Sequence, residues 1–332
     1  MKQIPTFPAL LESYFTQRLM AQRQASPHTI ASYRDTFRLL LNFVQRRSGK
    51  SPSSLNLTDL DAPLISAFLD DLEKQRGCSI SSRNVRLTAI RSFFRYASYE
   101  EPSQSAHIQR VLAIQNKRTA RPMISFLLRD EIEALIATPD QRTWIGRRDH
   151  ALLRLAVQTG LRLSEVTSLD RQALTLGTGA HVRCHGKGRK TRCTPLTKQT
   201  VAVLKVWLKE LARGTTDAVF PNVNGRWLSC DAVQDLLAKY IAIAQQRCPT
   251  LRQKRVTFHS LRHTSAMELL AAGVDTSVIA LWLGHENVAT TQIYLHAHLA
   301  LKEAALAKTR PLTGKQARFR PGDELLEFLK GL

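Results

Sequence analysis

Apolar positions in the first third of the chain recur in steps of three and four, the spacing that lines one face of a helix. Ser26-Pro27 offers an N-cap followed by a proline at the first helical position, and Ile30, Tyr33, Phe37, Leu40 and Val44 then share a face. Ser48-Gly49 ends that segment. A second helix is predicted after Thr58, carrying Leu64, Ile65, Phe68, Leu69 and Leu72. A third opens near Ser81 or Ser82 and carries Val85, Ile90, Phe93, Phe94 and Ala97. Arg83, Arg86, Arg91 and Arg95 lie on the same segment and do not separate cleanly from its apolar positions. A solvated face and a phosphate-contacting face both fit them, with some stems buried. Glu101-Pro102-Ser103 closes this helical unit, and a basic, structure-poor linker follows to about Ser125, with Lys117, Arg118 and Arg121-Pro122.

The remainder is again mostly helical. Helices are predicted over 129–137, 147–159, 199–211, 231–246, 260–272 and 276–283. Between 180 and 195 the pattern alternates around Gly186-Lys187-Gly188, which signals a hairpin. The fold class expected is mainly α with a small β region (α+β). Its parts are a helical N-terminal domain over 1–105, a linker over 106–124, a second domain over 125–310 and a tail over 311–332. The tail ends in a short helix over 321–332, with Asp323 and Glu324 where a helix N-terminus favours negative charge. Leu325, Leu326, Phe328, Leu329 and Leu332 are too apolar to stay exposed and are expected to dock, on their own domain or on a neighbour.

A length of 332 residues exceeds what one core usually serves, which supports the two-domain division. Charge changes the picture more. Forty-eight Lys and Arg stand against 27 Asp and Glu, a formal net charge of +21. Such an excess suits a polyanion, and nucleic acid fits best, because each neutralised phosphate releases condensed counterions. No apolar run approaches the roughly 20 residues that span a bilayer, and the first ten residues lack the pattern of a secretory signal. The expectation is a cytoplasmic protein with no membrane partner. Cys78, Cys184, Cys193, Cys230 and Cys248 form no C-x-x-C pair. Cys184 and Cys193 flank the hairpin and could face each other, but free thiols are expected.

Phosphodiester transfer without a metal needs a nucleophile, fixed positive charge around the phosphate and an acid for the leaving oxygen. Four segments supply such groups. In Thr159-Gly160-Leu161-Arg162-Leu163-Ser164-Glu165, the glycine ends one helix and Arg162 starts the next, a natural anion site that Glu165 could brace from behind. Gly186-Lys187-Gly188-Arg189-Lys190 presents Lys187 on an arm. In Phe258-His259-Ser260-Leu261-Arg262-His263-Thr264, His259 shares a helix face with both Arg262 and His263. Leu283-Gly284-His285-Glu286-Asn287 is followed nine residues after the histidine by Tyr294. Each residue alone has a plainer reading: a packing tyrosine, a helix-end ion pair, a solvated loop lysine, a core histidine pair. The order and spacing of the whole set are not explained that way. A zinc-protease reading of His259 and His263 fails because Ser260 stands where H-E-x-x-H needs glutamate and Arg262 would repel a cation.

These boxes, in this order, closely resemble those of the tyrosine recombinase (phage integrase) family, with Xer-like and transposon-encoded members nearest. The resemblance covers roughly 125–310, and more loosely the N-terminal unit, which resembles that family's core-binding domain. It implies an enzyme that breaks and rejoins double-stranded DNA, using Tyr294 to form a 3′-phosphotyrosyl bond. Arg162 and Arg262 would clamp the phosphate, Lys187 would protonate the 5′-oxygen, His259 would move protons and His285 would steady the transition state. It further implies no metal, ATP or other cofactor. The partners would be double-stranded DNA and a homo-tetramer, or a hetero-tetramer with a related recombinase, working through a Holliday junction. The resemblance leaves integration, excision, resolution and transposition open. A non-catalytic DNA-binding relative and a type IB topoisomerase are the competing readings. Two nearby arginines are expected to favour phenolate character in Tyr294.

Overall fold

The structure is a computed structural model that describes residues 6–119, 124–186, 191–211, 216–285, 290–291 and 294. The chain divides into two compact units, Met1–Arg121 and Pro122–Leu332.

The first unit is helical. Helix α1 (Phe7–Ser13) runs into a π-helical stretch, Tyr14–Gln22, and α2 (Pro27–Ser48) follows. The Ser26 hydroxyl accepts the Thr29 amide as N-cap, and Gly49, at φ 72°, takes the left-handed conformation that ends the helix. Helix α3 spans Ala62–Lys74 and starts later than the sequence pattern placed it, because Asp61 is the residue that caps it, accepting from Leu64. Helix α4 (Ile80–Glu100) is capped by Ser79. Phe93 sits at the centre of an aromatic cluster, with ring centroids 5.8 Å from Phe7, 5.5 Å from Tyr14 and 5.3 Å from Phe37.

The predicted structure-poor linker is partly wrong. Ser105–Leu112 forms a further helix, α5, whose Ile108 and Val111 are fully buried in the first unit's core. The arginines of α4 divide in role. Arg83 is buried, 3.2 Å from Glu73, and Arg86 donates to the Ser32 carbonyl and the Thr36 hydroxyl. These two therefore brace the unit.

The second unit places α6 (Arg129–Ile136), α7 (Trp144–Thr159), α8 (Leu163–Thr167), α9 (Lys198–Leu211), α10 (Cys230–Arg247), α11 (Phe258–Ala271) and α12 (Thr276–Leu283) around a small sheet. The sheet is antiparallel in the order β1 (Leu174–Thr175), β2 (His181–His185), β3 (Thr191–Pro195). In its register Cys184 pairs with Arg192 and Cys193 with Arg183. Cys184 is buried and Cys193 exposed, so the two thiols lie on opposite faces and do not meet. Among the described residues all five cysteines are free. The core is built from the inner faces of α6, α7, α9 and α10, including Leu152, Leu155, Leu204, Trp207 and Leu237. A smaller cluster joins Met267 and Leu270 of α11 to Ile279 and Leu283 of α12 and to Tyr294. Among the described residues no helix is long and apolar enough to cross a membrane.

Candidate active site

Three arginines from three separate segments converge on the carboxyl end of one short helix. Helix α12 ends at Gly284, which takes a left-handed φ of 67° and turns its last carbonyls outward. Arg192 donates through Nε to the Trp282 carbonyl at 3.1 Å, Arg262 through Nη2 to the Leu283 carbonyl at 2.6 Å, and Arg162 through Nη2 to the Gly284 carbonyl at 3.0 Å. Those carbonyls have no partner within their own helix and carry the negative end of its dipole, so cations are favoured there.

Each arginine is placed by its element. Gly160 caps α7 with φ 63°, and Arg262 Nη1 donates to its carbonyl at 2.7 Å. Arg162 is the N-cap residue of α8, and Glu165 in the first turn of that helix accepts both its amide at 2.7 Å and its Nη1 at 3.0 Å. Arg262 lies on α11, which Thr257 caps by accepting the Ser260 amide. The predicted brace of Arg162 by Glu165 is therefore present. A second brace escaped the sequence reading: Arg192 grips the same carboxylate with two bonds, of 2.8 and 2.7 Å.

A cleft of about 510 Å³ opens beside these residues, with Arg162, Ser164, Thr257, His259 and Arg262 in its wall. Its electrostatics are strongly positive. Arg262 is 2% exposed, and burial, reinforced by Arg162 and Arg192, pushes its pKa down to about 10, which leaves it cationic at neutral pH. A cationic wall with low exposure is suited to an anion that arrives from solvent. His259 keeps an exposed edge in the cleft, and its pKa is lowered by partial desolvation and then by the charges of Arg262 and Arg162.

Tyr294 lies beneath this wall. It is 1% exposed, and its hydroxyl is 3.0 Å from His263 Nδ1. The His263 ring meets His259 edge to face at 4.4 Å, and the His285 ring lies parallel to the Tyr294 ring at 6.4 Å. His285 in turn pairs through Nδ1 with the Thr291 hydroxyl at 2.8 Å. Burial pushes the pKa of His263 down to about 4, with His259 and Arg262 adding to the effect, and burial followed by the neighbouring arginines does the same for His285. Both rings are neutral at pH 7, so His263 can accept the phenol hydrogen.

The expectation that two arginines would give Tyr294 phenolate character is not met in this conformation. Burial raises its pKa, and Arg262 offsets only part of that. The structure thus gathers Arg162, His259, Arg262, His285 and Tyr294 in one unit, and adds Glu165, Arg192 and His263. Tyr294 is not among the residues that line the cleft. Lys187 and the 311–332 tail lie outside the described residues. Among the described residues no group of three or more His, Cys, Asp or Glu is placed to hold a metal.

Known proteins resemble this chain over most of its length. The profile of the phage integrase family matches residues 125–300, and that of the phage integrase N-terminal SAM-like domain matches 13–101. A putative integrase/recombinase, y4rC, of Sinorhizobium fredii (strain NBRC 101917 / NGR234) is 64% identical over 323 residues, 97% of either chain. Among solved structures, the XerH site-specific recombinase bound to a palindromic difH substrate as a post-cleavage complex has a TM-score of 0.69. It is 24% identical and covers 85% of this chain and 80% of its own. A lambda integrase tetramer bound to a Holliday junction has a TM-score of 0.61 at 17% identity, covering 88% and 78%.

Proposed function

Since the chain belongs to the tyrosine recombinase (phage integrase) family and is a site-specific DNA recombinase, we propose that Tyr294 is its nucleophile and that Arg162 and Arg262 bind the scissile phosphate. The phenol oxygen attacks phosphorus, the P–O5′ bond breaks, and a 3′-phosphotyrosyl bond holds the strand. The phenol proton leaves through the imidazoles beside it, His259 taking part in that transfer. Lys187 gives a proton to the departing 5′-oxygen, and His285 steadies the charge at phosphorus. Attack by a 5′-hydroxyl reverses every step. The bond energy is conserved, so rejoining needs neither ATP nor a metal.

One observation carries this reading. Arg162 and Arg262 are brought from segments a hundred residues apart onto adjacent carbonyls, 283 and 284, and Tyr294 packs in the same cluster as Leu283. Both arginines also line the open cleft, so the helix end holds cationic charge where an anion can reach it. The phenol must leave its pocket to reach a phosphate in that cleft, which makes DNA binding the natural trigger for cleavage.

The finer assignments are also proposals. Double-stranded DNA is the partner, and the first unit, through residue 105, contributes to holding it. Arg34, Arg38 and Arg46 present largely exposed side chains there. The lambda integrase neighbour is a tetramer on a Holliday junction, which supports a tetramer of this chain, or of this chain with a related recombinase. Residues 125–310 form the catalytic domain and 311–332 a docking tail. The protein works in the cytoplasm, where its DNA is.

The test is covalent capture. DNA recovered with the protein after denaturing lysis of its own cells should be enriched for one site, and Tyr294→Phe should recover none while still binding that site. Capture by the phenylalanine variant at the wild-type level would contradict the assignment.

A further inference from the structure

Arg192 joins the carboxylate behind Arg162 to the end of α12. Its guanidinium holds the Glu165 carboxylate with two bonds, and its Nε holds the last carbonyl before Leu283. Its side chain is 11% exposed and that of Glu165 is 5% exposed, whereas Arg162 keeps 33%. It grows from β3. A Cβ on Gly284 would come within 3.0 Å of it, so the helix end and this guanidinium are in close contact.

Charge balance gives that placement a purpose. Glu165 is needed to orient Arg162, since it accepts from both its amide and its guanidinium. Alone, a buried carboxylate 3.0 Å from Arg162 would cancel much of the charge that Arg162 has to offer a phosphate. With Arg192 also on that carboxylate, the cluster of Arg162, Arg192, Arg262 and Glu165 keeps a surplus of two positive charges. The titration behaviour is consistent. Burial alone would raise the pKa of Glu165, but the Arg192 bonds and then Arg162 hold it below the ordinary carboxylate value. Burial alone would lower that of Arg192, and Glu165 raises it instead.

We propose that Arg192 is a positioning residue for strand cleavage: it neutralises Glu165 so that Arg162 faces the phosphate with its charge intact, and it fixes β3 to the end of α12. This rests on the assignment of Arg162 as a phosphate-binding residue and of Tyr294 as the nucleophile.

The experiment uses the full chain and a nicked duplex of the captured site, with single-turnover cleavage and DNA binding measured separately. Arg192→Gln is expected to slow cleavage at saturating DNA by about 10²-fold, the scale of an ångström-level misplacement of a reacting group. The DNA concentration for half-saturation should stay near that of the parent. Adding Glu165→Gln to that variant should restore part of the rate, because the uncompensated carboxylate is then gone while the remaining amide oxygen still accepts from Arg162. Arg192→Lys, which keeps the charge and loses the fork, should fall between and serves as the readout should Arg192→Gln fail to fold. A wild-type rate in Arg192→Gln or Arg192→Lys, a loss matched by weaker DNA binding, or a double variant no faster than the single would each overturn the proposal. Cleavage by Tyr294→Phe in the same assay would instead overturn the nucleophile assignment, so the two failures are distinguishable.

Discussion

His263 and His285 show how much a single side chain's meaning depends on its surroundings. Both are half-buried beside cationic guanidiniums, and both have pKa values pushed from 6.5 to about 4. His259 is shifted the same way, and the groups facing the three rings are Arg162, Arg192, Arg262 and Tyr294. The unfolded chain therefore binds protons between about pH 6.5 and pH 4 that the folded chain does not, so stability is full above pH 6.5 and falls through this window on acidification. The carboxylates Glu131 and Glu165 are held below their ordinary value of 4.5, so their contribution is lost as pH falls below 4.5, from the foot of the histidine window downward. Thermal unfolding should show a falling midpoint across the histidine window, flattened by His263→Gln. A midpoint that rises on acidification there would contradict the assignment of neutral rings. At this scale the pairing of Arg162 with Glu165 was legible because the spacing within a motif is local. Arg192 was not, because its partners lie 27 and 90 residues away and only the fold joins them.

Helix ends do the positioning, and several were legible in advance. Ser26-Pro27, Gly49 and Gly160 punctuate the chain where the pattern placed them, since capping is a local matter of hydrogen bonds and backbone conformation. Helix α5 was missed because it is eight residues long and follows Pro102 within a polar, basic stretch, and what holds it is burial of Ile108 and Val111 against distant residues. The start of α3 moved because Thr58 lies inside a separate 3-10 turn, Leu57–Asp59, and Asp61 is the residue that caps the helix. Gly160 is the end that matters most for function. At φ 63° a side chain costs about 1–2 kcal/mol, and its Cβ would also meet Leu283 at 2.7 Å and Ser265 at 3.1 Å. Gly160→Ala should lower stability by more than the backbone cost alone, and should slow cleavage because Leu283 carries the carbonyl that holds Arg262. Denaturant unfolding checks the first, and a loss no larger than the backbone cost would show that Leu283 yields freely.

For the whole molecule, net charge was the most informative bulk property. A surplus of +21 means that DNA binding should be driven largely by counterion release. Log affinity should fall linearly with log salt, and a footprint of about six to ten phosphates would lose roughly 10³–10⁵ in affinity between about 50 and 200 mM salt. Titration of the captured duplex at several salt concentrations checks this, and a flat response would mean that the positive surface is not what meets DNA. The two-unit division was legible from length and from the proline-bearing stretch near 121, while the exact edge depends on α5.

The buried Tyr294 hydroxyl beside His263, under a wall of converging arginines, is the centre of the account. Its most direct test is to digest the covalent protein–DNA adduct with protease and nuclease and to read by mass spectrometry which residue carries the nucleotide. The account predicts a phosphotyrosyl link on Tyr294. An adduct on any other residue, or a nicked cognate duplex cleaved without any adduct, would contradict it.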